Sequence, residues 1–239
     1  MDTSRRRSTR SRNQPSKASA PGSPRDRWAR AVRHLRRVDP HLKAIIDRIG
    51  PCLLEPKTDR FGTLVRAIIG QQISSKAAAS IHNRLVAIGG EPHHPQRLIE
   101  LGESALRGVG LSGVKARYVL NLAEAVGSGA VPLDEIDESW DDAKITQALT
   151  TIKGIGVWTA EMFLIFALNR PDVLPASDLG VRVALRDRHG LAELPKPSEC
   201  HALAELWRPY RSIASWYLWK GVDTPQTPTI VTVEEGAQS

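Results

Sequence analysis

The chain has 239 residues, 41% of them hydrophobic and 25% charged, the balance of an ordinary soluble globular protein. No apolar run approaches the roughly 20 residues that span a bilayer, and the N-terminus lacks the apolar core of a signal peptide. Cys52 and Cys200 are too few for a disulfide framework or for four thiolates around zinc or an iron–sulfur cluster, so a cytosolic, reducing compartment is expected.

The net charge of +7 is unevenly spread. Residues 1–27 hold eight basic and two acidic side chains, whereas the remaining 212 hold 25 and 24. Arg5, Arg6, Arg7, Arg10 and Arg12 stand among Ser, Pro and Gly with almost nothing apolar to bury, which predicts a disordered basic tail over 1–27. Such a tail suits a non-specific nucleic-acid arm; a solvated tail or an Arg/Ser-rich targeting peptide would have the same composition. The nearly neutral body must meet any nucleic acid through local geometry rather than bulk charge.

From Trp28 onward the pattern is helical, with no convincing alternating strand. Trp28 to Arg37 reads as a basic helix stopped before Pro40, followed by a short segment over 41–50. Phe61, Leu64, Val65, Ile68 and Ile69 recur at helical spacing up to Gly70. Ser74 or Ser75 caps a helix carrying Ala78, Ile81, Leu85 and Ile88, which stops at Gly89-Gly90. A short helix over 95–101 precedes Leu106-Arg-Gly-Val-Gly. Ser112 then opens a helix with Val114, Tyr118 and Leu122 facing inward, and Trp140 to Leu149 forms another. Later helices fall near 157–168, 179–188, 198–207 and 211–220, and Pro225 onward reads as a loose tail over 224–239. About ten helices with short connections, and no fixed-period repeat, predict an all-α domain over 28–223.

The segment Leu149-Thr-Thr-Ile-Lys-Gly-Ile-Gly-Val-Trp-Thr-Ala160 joins two helices through Ile152-Lys153-Gly154-Ile155-Gly156. Glycines at i and i+2 let the backbone turn tightly and approach another surface. The following helix then begins with free N–H groups and the positive end of its dipole, which suits a phosphate. The same glycines would also serve a plain helix–turn–helix connection.

These residues resemble the helix–hairpin–helix DNA glycosylases, in particular the alkylpurine branch of 3-methyladenine DNA glycosylase II. The resemblance covers roughly residues 58–222 and rests on five segments in family order. They are Phe61 to Ser74 with Gly70-Gln71-Gln72-Ile73-Ser74, Leu106 to Lys115-Ala116, Ile152 to Ala160, Leu174-Pro-Ala-Ser-Asp178-Leu-Gly, and Trp207 to Ser212 followed by Trp219. The resemblance implies two helical subdomains with a cleft between them. The N-terminal β domain of longer relatives finds no counterpart in 1–57, so the all-helical form is expected.

The implied activity is base-excision repair. An alkylated purine leaves the duplex stack and its N-glycosidic bond is hydrolysed. Gln71 and Gln72 then belong to a wedge loop, with Gln72 at the tip where relatives place Leu; on local grounds both could be a solvated helix end. Trp158, Met162 and Trp219 would wall the base pocket, since an indole face attracts a cationic methylated purine. Met162 replaces an aromatic found in some relatives, and the tryptophans could instead be core, as Trp207 is expected to be. Asp178 matches the catalytic carboxylate, preceded by Ser177 where many relatives are acidic. It is also well placed as an N-cap, and the two roles are compatible.

Relatives that cut the backbone carry a nucleophilic Lys at the place of Trp158, so the resemblance implies a monofunctional enzyme without lyase activity. Lys153, Gly154, Ile155 and Gly156 would contact DNA phosphate. No cofactor is expected beyond a monovalent Na or K ion at the hairpin, on the carbonyls of Thr150, Ile152 and Ile155. The expected partner is double-stranded DNA containing alkylated bases, met by a monomer, in the nucleoid of a bacterial cell or the nucleus of a eukaryotic one. A glycosylase for deaminated or mismatched bases, or a non-catalytic DNA-binding module, would share much of this pattern.

Overall fold

The computed structural model describes residues 27–223; the tail readings for 1–26 and 224–239 lie outside them. Among the described residues there are eleven α-helices, two 3-10 turns and no strand. The helices are α1 (Ala29–Val38), α2 (Pro40–Ile49), α3 (Arg60–Gly70), α4 (Ser75–Gly89), α5 (Pro95–Gly108) and α6 (Gly113–Gly127). They continue as α7 (Asp142–Thr150), α8 (Val157–Phe166), α9 (Leu179–His189), α10 (Pro197–Leu203) and α11 (Arg211–Asp223). The all-α architecture is as the sequence predicts, and none of the described helices is long and apolar enough to cross a membrane.

Packing divides these helices into two groups. In one, α3 lies against α4, α6 and α8, with α5 on α6 and α7 on α8. In the other, α11 packs on α1, α2 and α9, and α10 packs on α9. The central helices are apolar nearly all round, as helices in a core must be: Phe61 through Val65 and Ala67 through Ile69 are buried on α3, and Met162 through Ile165 on α8.

Side-chain caps start most of the helices that shape the site. Asp59, Ser74, Ser112, Asp141 and Asp178 each accept the amide of the residue three positions on, satisfying a donor the helix cannot. Ser74, rather than Ser75, is therefore the cap of α4. Asp39 is fully buried and caps α2, while also accepting from Arg188 at 3.1 Å and from the Trp207 indole at 2.6 Å. This knot fixes the C-terminal end of α9, and Trp207 is core as expected.

Several expectations are corrected. The helix expected over 95–101 runs on to Gly108 across a break at Gly102, where φ is 70°. Val114 is 49% exposed, because Ala116, Val119, Leu122 and Ala123 set the inward face of α6. On α4 the buried positions are His82 and Leu85, whereas Ile88 is exposed. The helix expected from Trp140 begins at Asp142, because Asp141 is its cap.

Candidate active site

The hairpin is a single tight turn between α7 and α8. Ile152 donates its amide to Leu149 O and Ile155 donates to Ile152 O, at 3.1 and 3.0 Å. Ile152 and Ile155 are buried and anchor the turn, while Lys153 between them is exposed. Gly154 has φ +108°, and a Cβ there would fall 2.1 Å from Cγ of Tyr118. The Tyr118 ring of α6 therefore fills the place of the missing side chain, and Asn121 one turn later donates to Lys153 O at 3.0 Å. Gly156 is the N-cap of α8 and offers no side-chain cap, so the first amides of α8 have no partner within the helix. A Cβ on Gly156 would meet nothing within 4 Å, so this edge of the turn is open to a ligand.

Asp178 stands where the two helix groups meet. The chain reaches it through a pinned loop: Arg211 donates Nε to Asp172 Oδ1 at 2.8 Å and Nη2 to Oδ2 at 3.1 Å. Ser212 Oγ donates to Arg170 O and accepts from Val173 N. Asp178 Oδ1 accepts the Val181 amide at 3.0 Å and thus caps α9. Trp219 Nε1 of α11 donates to the same oxygen, and Trp158 Nε1 of α8 donates to Oδ2, both at 2.9 Å. Asp178 pairs with no Lys or Arg among the described residues. An ionised carboxyl has about four lone-pair sites, so three donors fix it and leave one for chemistry.

Trp158 and Trp219 are both half-buried, and Trp219 stacks on Phe166 with ring centroids 5.7 Å apart. Met162 lies one turn beyond Trp158 and is buried. An open groove of about 480 Å³ follows the adjacent stripe of α8, lined in part by Val157, Glu161, Leu164 and Leu174. Neither indole nor Met162 lines it.

The wedge-loop residues separate. Gln71 turns its side chain inward, where Nε2 donates to Gly154 O and Thr159 Oγ1, both at 3.1 Å. Gln72 is exposed and takes φ +57°, a left-handed backbone uncommon for a residue with a side chain. The two glutamines of the expected wedge loop thus differ: Gln71 turns inward and Gln72 is exposed.

Two residues of the site escaped the sequence. Glu161 lies three positions after Trp158, and its Oε2 is buried without a partner. Burial, helped by the charge of Asp178, pushes its carboxyl up to about 7. Gly180 is the other: a Cβ there would sit 3.1 Å from Asp178 Oδ1 and 3.2 Å from Trp219 Cδ1. Its absence admits the indole to the carboxylate, and a glycine two positions after a capping Asp is the only trace of this in the sequence.

The hairpin offers carbonyl oxygens, a donor type suited to a hard cation. Of the three expected ligands, Ile152 O already accepts from Ile155 N–H and keeps one lone pair. Among the described residues no cluster of three His, Cys, Asp or Glu side chains could hold a metal.

Residues 65–209 match the HhH-GPD superfamily of base excision DNA repair proteins. The chain is 37% identical over 192 residues to DNA-3-methyladenine glycosylase 1 of Schizosaccharomyces pombe, spanning 78% of this chain and 84% of that protein. Among solved structures it resembles the S. pombe 3-methyladenine DNA glycosylase in complex with abasic DNA, with TM-score 0.74 and 34% identity over 82% of this chain and 98% of that one. It also resembles a DNA-3-methyladenine glycosidase of Bacillus halodurans, with TM-score 0.64 and 35% identity over 81% and 89% of the two chains. The matched range spans the hairpin, Asp178 and most of the helices around them, and the chain belongs to the HhH-GPD superfamily of base excision DNA repair proteins.

Proposed function

We propose that the chain is a monofunctional DNA glycosylase that releases alkylated purines, of the 3-methyladenine and 7-methylguanine type, from duplex DNA. The observation that carries this reading is the Asp178 carboxylate held between the indole N–H groups of Trp158 and Trp219. In the reaction the bond from C1′ of the sugar to the base nitrogen breaks, and its electron pair leaves with the base. Positive charge develops on the sugar, and a fixed carboxylate stabilises it without reorganising. Water adds its oxygen to C1′, and its proton passes to the remaining lone pair of Asp178 or to solvent.

The indoles serve twice in this scheme. Their N–H edges orient Asp178, and their half-buried faces suit a cationic methylated purine. Substrate DNA would be gripped by the open amides of the hairpin and of α8, which suits a body with little net charge. Lyase chemistry needs an amine that forms a Schiff base with the sugar. Position 158 holds an indole that donates to Asp178, and the nearby Lys153 points to solvent.

The test is incubation with methylated duplex, with chromatography of released bases and gel analysis of the strand. Free 3-methyladenine and 7-methylguanine are expected, with scission only after alkali. A covalent adduct trapped by borohydride would overturn the monofunctional assignment. Release of deaminated or mismatched bases alone would overturn the substrate assignment.

A further inference from the structure

The chain at the end of α3 makes a turn that its own sequence disfavours. Gly70 O accepts the Ile73 amide at 3.4 Å, and Gln71 has φ −52° and ψ 124°. With Gln72 at φ +57°, residues 70–73 form a turn of type II, whose third position favours glycine. A long side chain in a left-handed conformation persists only where its surroundings impose it. Two side chains impose it here. Lys115 of α6 donates Nζ to Ile69 O at 2.7 Å and to Gln71 O at 2.6 Å. It thereby satisfies carbonyls at the end of α3 and sets a positive charge at the negative end of that helix. Gln71 ties the same turn to the hairpin through Gly154 O and to α8 through Thr159 Oγ1. Lys115 is half-buried and joins no carboxylate among the described ion pairs, so carbonyls are its partners.

We infer that Lys115 and Gln71 are positioning residues that lock the exposed, left-handed Gln72 turn to the hairpin as one rigid DNA-facing unit. The phosphate grip and the Gln72 tip then act at a fixed separation, and Thr159 places the lock next to Trp158 and so to Asp178. Neither residue touches the reacting atoms. The inference rests on the proposed glycosylase reading, because a fixed tip matters when one base must be held out of the stack.

The experiment compares Lys115→Met and Gln71→Ala with the wild-type chain in three measurements. These are single-turnover release of 7-methylguanine, fluorescence of a 2-aminopurine placed beside an abasic analogue, and affinity for undamaged duplex. Both variants should lower release and the fluorescence rise by about tenfold, the factor carried by one net hydrogen bond. Affinity for undamaged duplex should change less than about threefold, since the hairpin amides remain. Gln72→Asn, which tolerates the left-handed region, should restore part of the loss when added to Lys115→Met. A merely structural lysine would not be rescued in this way. If Lys115→Met folds poorly, Gln71→Ala removes the strut and leaves the α3 carbonyls paired.

Equal losses in release and in undamaged-duplex affinity would make Lys115 a phosphate contact and overturn the inference. Unchanged release and fluorescence in both variants would overturn it as well. The fluorescence measurement needs no glycosidic cleavage. A wild-type chain that shifts the probe but releases no base would therefore refute the glycosylase reading and leave the lock supported.

Discussion

Trp219 donates its indole N–H to Oδ1 of Asp178 at 2.9 Å, and that oxygen also accepts the Val181 amide. One atom thus caps α9 and binds the last described helix to the carboxylate. Trp219→Phe keeps a six-membered ring to stack on Phe166 and removes the donor together with the smaller ring that carries it. A hydrogen bond to a charged group contributes about 1.5–3 kcal/mol. We expect a stability loss within that range and a single-turnover rate about tenfold lower, with lesion affinity little changed. An unaltered rate would show that capping alone orients the carboxylate.

Asp178→Asn separates charge from shape. Asparagine is nearly as good an N-cap as aspartate, so the Val181 contact survives. Its amide nitrogen, however, must then face an indole N–H where Oδ2 now accepts from Trp158. That donor–donor encounter costs about 1–3 kcal/mol, more than the near-neutral exchange of one cap for another would predict. The base-release rate should fall by about 10²–10³, as when other preorganised charge stabilisers are removed, while lesion DNA still binds. A near-normal rate would remove Asp178 from the catalytic role.

Much of this was legible because periodicity and caps are local. The α3 stripe, the Gly154-x-Gly156 turn and Asp178 at the start of α9 follow from residues a few positions apart. The indole–carboxylate contacts were not, because they join residues 20 and 41 positions apart. A tryptophan in a sequence suggests a stacking face, whereas here its N–H edge makes the contact. The inward direction of Gln71 is hidden for a related reason: a side chain leaving a helix end takes its direction from the turn, and that turn depends on distant Lys115. Val114 looks inward by apolarity alone, but the small Ala116 and Ala123 let α6 approach its neighbours on another face.

Gly154 should not tolerate alanine. Its φ of +108° is strained for any residue with a Cβ, and the Tyr118 ring occupies the space. Either the ring leaves or the hairpin opens, at a cost of at least about 2 kcal/mol. We expect weaker binding to abasic duplex by fluorescence anisotropy, together with a lower Tm. The added substitution Tyr118→Ala should recover part of the binding by relieving the overlap, though not the backbone strain. If Gly154→Ala alone binds and melts like the wild-type chain, the hairpin is more plastic than its packing indicates.

Glu161 gives the fold a pH dependence whose sign can be derived. Its carboxyl moves from 4.5 to about 7 in the folded chain, through burial first and the Asp178 charge second. Between those values the folded state binds more protons than the unfolded one, so stability falls as pH rises through the window. The contribution is fully present below 4.5 and lost as pH rises through about 7. At about 1.4 kcal/mol per unit, discounted for partial solvent screening, the loss is on the order of 2 kcal/mol. His82 and His93 act oppositely: burial lowers both from 6.5, so their contribution is lost as pH falls below that value. A wild-type pH profile therefore mixes the two, and the difference between wild type and Glu161→Gln isolates the carboxyl. The glutamine variant should melt near the wild-type temperature at pH 5 and several degrees higher at pH 8. Denaturation curves at five pH values suffice to measure this. A difference that is flat across the range would show that Glu161 titrates alike in the folded and unfolded chains.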